Sequence, residues 1–83
     1  MNYISIIKEF IVENFLFGDA GSLTGDTDLF DKSILDSTGV IELVSFIEIE
    51  FNIVIDDFEL VAENFSSINR IASFLESKIL KHA

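Results

Sequence analysis

The chain has 83 residues, 49% of them hydrophobic, with nine Phe, one His, no Cys, no Pro and a formal net charge of −10. So much apolar material supports one packed domain spanning 1–83 rather than a disordered chain, and the missing cysteines exclude disulfides, thiolate zinc sites and cysteine nucleophiles. Fifteen acidic against five basic residues exclude nucleic-acid binding, which needs cations to neutralise phosphates, and disfavour anionic membrane surfaces.

Positively charged protein surfaces are the natural partners of such a chain. No apolar run approaches the roughly 20 residues that span a bilayer. Lys8, Glu9 and Glu13 interrupt the apolar N-terminal stretch, and no basic leader precedes it. Neither membrane insertion nor secretion is expected, and the expectation is a cytoplasmic monomer. His82, the sole histidine, reads as a solvated tail residue rather than a general base.

Ile4, Ile7, Ile11 and Phe15, widened by Tyr3, Phe10 and Val12, recur at helical spacing and predict a helix over residues 3 to 16 with Asn2 as its cap. Gly18 and Gly21 end it. Residues 18 to 35 hold three of the four glycines plus Ser22, Thr24, Asp26, Thr27 and Asp28, which reads as a long loop. Leu29, Phe30, Ile34 and Leu35 in its second half are expected to pin it across the domain, because long loops without anchors are uncommon.

A second helix is predicted from Ser37 to Phe51, capped by Asp36, with Val40, Leu43, Val44, Ile47 and Phe51 as its core stripe. Ile41, Phe46 and Ile49 fall outside that stripe, so this helix either meets several elements or exposes a docking patch. Asn52 to Ile55 reads as an extended, buried connection, since nothing else in the chain pairs as a strand. Asp56 and Glu59 form a capping-box pattern that opens a third helix of about two turns, ended by Asn64. Ser66 or Ser67 caps a fourth helix carrying Ile68, Ile71, Ala72, Leu75 and Ile79. The predicted fold class is all-α: a small bundle of three longer helices and one short one.

The chemistry concentrates in one window. Eight acidic residues and no basic residue lie between Lys32 and Arg70, and Leu35-Asp36-Ser37-Thr38-Gly39 opens the second helix inside it. Serine and aspartate are common helix caps, so a purely capping Ser37 is the plain alternative. Against it, Asp36 can cap by itself and leave the Ser37 hydroxyl pointing outward. A phosphodiester on that hydroxyl would sit beside unpaired helix N–H groups, where the dipole favours negative charge.

Phe30 to Asp57 resembles the acyl carrier proteins, through Leu35-Asp36-Ser37, Val40, Glu42-Leu43-Val44, Ile47-Glu48, Glu50-Phe51 and Ile55 before an acidic third helix. The resemblance implies that Ser37, flanked by Asp36, receives 4′-phosphopantetheine from coenzyme A through a phosphopantetheinyl transferase acting with magnesium. The thiol of that arm then holds acyl or aminoacyl groups as thioesters for lipid or secondary-metabolite biosynthesis. It further implies that the chain is not itself an enzyme. Ile41, Glu42, Ser45, Glu48, Glu50, Asp56, Asp57 and Glu59 become the recognition surface for basic patches on loading ligases or transferases and downstream synthases.

Thr38 stands where the family usually has leucine, Gly39 and Ile49 where acids are common, and Asp56 where proline is frequent. The run Leu29 to Gly39 looks more like the D-alanyl and other aminoacyl carriers, which are loaded by stand-alone adenylating ligases. An aliphatic cargo folded between the second and third helices would meet Phe46, Ile47, Phe58 and Leu60, but the favoured reading is that these side chains simply fill the core. The rival reading is an acidic helical interaction module without cofactor. A calcium loop at Asp26-Thr27-Asp28 fails, because Phe30, Asp31 and Ser37 occupy the next ligand, glycine and glutamate positions.

Overall fold

The computed structural model describes residues 2–81. Four helices run in the order α1 (Tyr3–Phe15), α2 (Ser37–Phe51), α3 (Ala62–Phe65) and α4 (Ile68–Lys81), with a 3-10 turn at Asp57–Glu59 between α2 and α3. The predicted caps hold. Asn2 accepts from the Ser5 N–H at 3.1 Å, Asp36 from the Gly39 N–H at 2.7 Å, and Ser67, rather than Ser66, from the Arg70 N–H at 3.1 Å. His82, expected to be a solvated tail residue, lies outside the described residues.

Aromatic pairs set the relation of α1 to α2. Tyr3, at the start of α1, meets Phe51, at the end of α2, edge-on at 5.4 Å. Phe10 and Phe46 stack in the middle at 4.2 Å, and the Phe15 ring lies against Gly39 at the other end. The two helices are therefore antiparallel. Ile7, Ile11, Leu43, Ile47, Phe65, Ile68, Ile71 and Leu75 fill the space between the helices and are fully or almost fully buried. At about 25 cal/mol per Å² such apolar burial is the main stabilising term. The Cα radius of gyration, 11.9 Å, is that of a compact chain of this length.

The long loop is tied down as expected, and by more than its apolar side chains. Leu23, Leu29 and Leu35 are buried. The Leu29 N–H donates to the Ser66 carbonyl at 2.7 Å, while the Leu29 carbonyl accepts from Ile34 and Leu35 at 2.9 and 3.0 Å. Further back, the Asn69 N–H donates to the Gly25 carbonyl at 2.9 Å, and the Asn69 side chain donates to Asp26 at 2.8 Å. A Cβ on Gly25 would collide with the Asn69 amide.

The third helix departs from its expected two continuous turns. The Asp56–Glu59 capping box is present, but it opens only the 3-10 turn. Leu60 then turns the chain at φ −83°, ψ 64°, and α3 begins at Ala62 and ends at Phe65 rather than Asn64. The reason is geometric. Leu60 and Phe65 both pack into the core, yet residues five apart on one helix point roughly 140° away from each other. A break between them lets both face inward. In the connection before it, Ile55 is buried and Ile53 partly so, but Val54 faces solvent, so this segment is only half inside.

Candidate functional site

Ser37 is the first residue of α2, and its side chain is exposed. Asp36 sits before it in extended backbone, at φ −118°, and spends one carboxylate oxygen on the Gly39 N–H. That frees Ser37 from capping, and its hydroxyl makes no hydrogen bond among the described residues. The Ser37 and Thr38 N–H groups, the first two of the helix, likewise meet no protein acceptor there. An anion attached to this oxygen would therefore find two open donors and the positive end of a 15-residue helix. The donor set fits a phosphodiester.

The ground beneath Ser37 is rigid. Leu35 is buried, Gly39 is buried, and Gly39 has Asp36 Oδ1, a Leu35 methyl and the Phe15 ring each 3.3 Å from where a Cβ would stand. The acid common at this position in fatty-acid carriers would need these three side chains to give by a few tenths of an ångström. Asp36→Ala is expected to cost about 1 kcal/mol of stability through loss of the cap, read as a lower urea midpoint. An unchanged midpoint would show that the Asp36–Gly39 bond contributes nothing.

The predicted recognition residues do not form one surface. At about 100° per residue, Ile41, Glu42 and Ser45 share the exposed face of α2 with Ser37 and Thr38. Glu50 points roughly 140° away from Ser45 and lines a separate groove with Glu9 and Glu13, floored by Ile6, Phe10 and Phe46. Glu48 is half-buried, and its Oε2 accepts from the Ile55 N–H at 2.8 Å, so it closes the end of α2 onto the connection. Glu59 binds Lys78 at 2.8 Å and also accepts from the Asp56 N–H at 2.9 Å. Asp56 and Asp57 are exposed, beside the exposed Val54 and Phe58. The acidic window has no cation in sequence, but α4 brings one to it in space.

Phe46, Ile47, Phe58 and Leu60 are likewise not brought together. Ile47 is fully buried, Phe46 stacks on α1, and Phe58 is 79% exposed. The expected sheath for an aliphatic chain between α2 and α3 is absent from these residues. Among the described residues no group of acids or His could hold a metal ion, and no helix is long and apolar enough to cross a membrane.

An all-helical bundle with an open serine at the start of its second helix is the arrangement a small carrier protein requires. The comparisons agree. No protein-family model matches the chain, but it is 38% identical to the D-alanyl carrier protein of Streptococcus equi subsp. zooepidemicus over 92% of this chain and 96% of that one. It superposes on the holo acyl carrier protein of Nitrosomonas europaea with a TM-score of 0.79 at 25% identity, covering 95% of this chain and 98% of that one. The crystal structure of Bradyrhizobium japonicum glycine:[carrier protein] ligase complexed with glycylated carrier protein contains a matching chain, with a TM-score of 0.62 and 27% identity over 84% of this chain and 89% of that one. The chain belongs to the acyl carrier protein family, and it is a carrier rather than a catalyst.

Sequence reasoning singled out Ser37 and Asp36 from the helix start, the acidic run and the family resemblance together, and the structure places them at the first position of α2 and at its cap. It missed a groove bounded by the end of α1 and the long loop, because its residues are scattered from 15 to 34 and share no spacing.

Proposed function

We propose that Ser37 carries 4′-phosphopantetheine and that this chain, as one carrier domain, accepts an amino acid, D-alanine foremost, from an adenylating ligase. The observation that carries the reading is the Ser37 hydroxyl, exposed and unbonded because Asp36 alone caps α2. The holo form of one structural relative supports the cofactor. Relatives named for D-alanine, and a glycylated carrier held by its ligase, support an aminoacyl cargo over a fatty one.

When bound, the arm supplies the thiol on which cargo is held as a thioester. The chain's own residues do the rest. Ser37 Oγ provides the point of attachment, the first N–H groups of α2 face the negative charge, and the buried Leu35 and Gly39 hold that oxygen at a fixed height. Thr38, Ile41, Glu42 and Ser45 form the surface next to it on which a transferase or ligase docks, with the Glu42 carboxylate meeting a cation of the partner.

Incubation with a phosphopantetheinyl transferase, magnesium and coenzyme A is expected to raise the intact mass by one phosphopantetheinyl group. A chain left unmodified beside a fully converted control carrier would favour a cofactor-free interaction role. Docking through Glu42 also predicts salt sensitivity: kcat/KM for loading D-alanine should fall about threefold as ionic strength rises from roughly 0.05 to 0.5 M, where the screening length shrinks to a few ångströms. A rate indifferent to salt would argue for docking through Ile41 and its apolar neighbours instead.

A further inference from the structure

The end of α1 carries an oddity that the carrier reading does not use. The Gly18 N–H reaches back to the Val12 carbonyl at 2.9 Å, and the chain reverses at Phe17, in the left-handed region at φ +54°. Glycine is the usual occupant of such a position, because a Cβ there is strained. Phe17 is also 97% exposed, so no packing offsets that strain. A strained residue with an exposed ring points to a role outside the fold.

Phe17 stands over a groove of about 480 Å³, lined also by Phe15, Asp19, Leu23, Lys32 and Ile34. The groove adjoins the start of α2, since the Phe15 ring lies against Gly39 and Ile34 is three residues before Ser37. Lys32 is the only cation between Lys8 and Arg70. The acid at the rim, Asp19, has its Oδ1 engaged by the Gly21 N–H at 2.9 Å.

A phosphopantetheine arm has one lasting negative charge at its attached end, then a gem-dimethyl group and two amides. A single cation beside apolar rings matches that order of chemistry. We propose that this groove is the resting bed of the arm, with Lys32 facing the phosphodiester and Phe15, Phe17 and Ile34 covering the gem-dimethyl segment. The proposal rests on attachment at Ser37.

Intact mass tests the attachment first and by itself; if no arm is gained, both readings fall. In isotopically labelled holo protein, nuclear Overhauser contacts are expected from the gem-dimethyl protons to the Phe15 and Phe17 rings and the Ile34 methyls. The phosphorus resonance should shift in Lys32→Gln. Phe17→Gly removes the ring and relieves the strain, so its apo form should unfold at a higher temperature than wild type. The gain in unfolding temperature from apo to holo should nevertheless fall at least twofold in that variant. A complete mass gain with contacts elsewhere or none, or with the apo-to-holo gain unchanged in Phe17→Gly, overturns the groove while leaving the attachment intact.

Discussion

Ser37→Ala is expected to abolish phosphopantetheinyl transfer while leaving the fold unharmed. The two halves of that result come from different atoms. Transfer needs the Ser37 oxygen, which is open to an approaching enzyme. The helix start needs the Asp36 carboxylate, which holds the Gly39 N–H at 2.7 Å and is untouched by the substitution. The Ser37 side chain contributes no hydrogen bond among the described residues, and alanine is the better helix former by a few tenths of a kcal/mol. Stability should therefore stay within about 0.5 kcal/mol of wild type, checked by thermal unfolding. Intact mass after treatment with the transferase checks the chemistry. Serine and threonine remain nearby at Ser33, Thr38 and Ser45, so any mass gain in the variant would move the attachment to one of them.

The second large effect lies in the loop. Leu29→Ala is expected to cost about 3 kcal/mol, the usual penalty for emptying a fully buried leucine site. For a domain of this size that is a large share of a total stability of about 4–12 kcal/mol. Leu29 is fully buried, and its backbone ties the loop to Ser66 on one side and to Ile34 and Leu35 on the other. Loss of the side chain loosens the segment that delivers Asp36 and Ser37 to α2. Chemical unfolding should show a much lower midpoint, and the transferase should modify the variant more slowly than wild type. A midpoint shift below about 0.5 kcal/mol would mean the loop is held by its hydrogen bonds alone.

The parts of this protein that could be read from its residues were those decided within a few positions of each other. Asn2 and Asp36 are polar residues standing just before apolar stripes, and both cap the helices they announce. The place of Ser37 at the start of α2 was legible for the same reason, whereas its role as attachment point came from the family resemblance. The third helix was not, because the demand that splits it comes from the core: Leu60 and Phe65 must both turn inward, and local pattern does not register that demand. Nor was the tie between Gly25 and Asn69, whose partners lie far apart in the chain. Charge was misjudged in the same way. The acidic window seemed uncompensated until α4 placed Lys78 against Glu59, and Glu48 and Glu50 left the expected recognition face, one for the Ile55 N–H and one for the α1 side. Phe17 hid because its position in the turn is one that sequence rules reserve for glycine.

The tight fit of Gly39 bears on attempts to convert this carrier for other pathways. Grafting an acidic side chain at that position, to imitate a fatty-acid carrier's contact surface, would wedge a carboxylate between the Phe15 ring and Asp36. The Phe15 ring and the Asp36 carboxylate would each have to shift by a few tenths of an ångström, so a smaller side chain at position 15 in the same step is expected to ease the exchange.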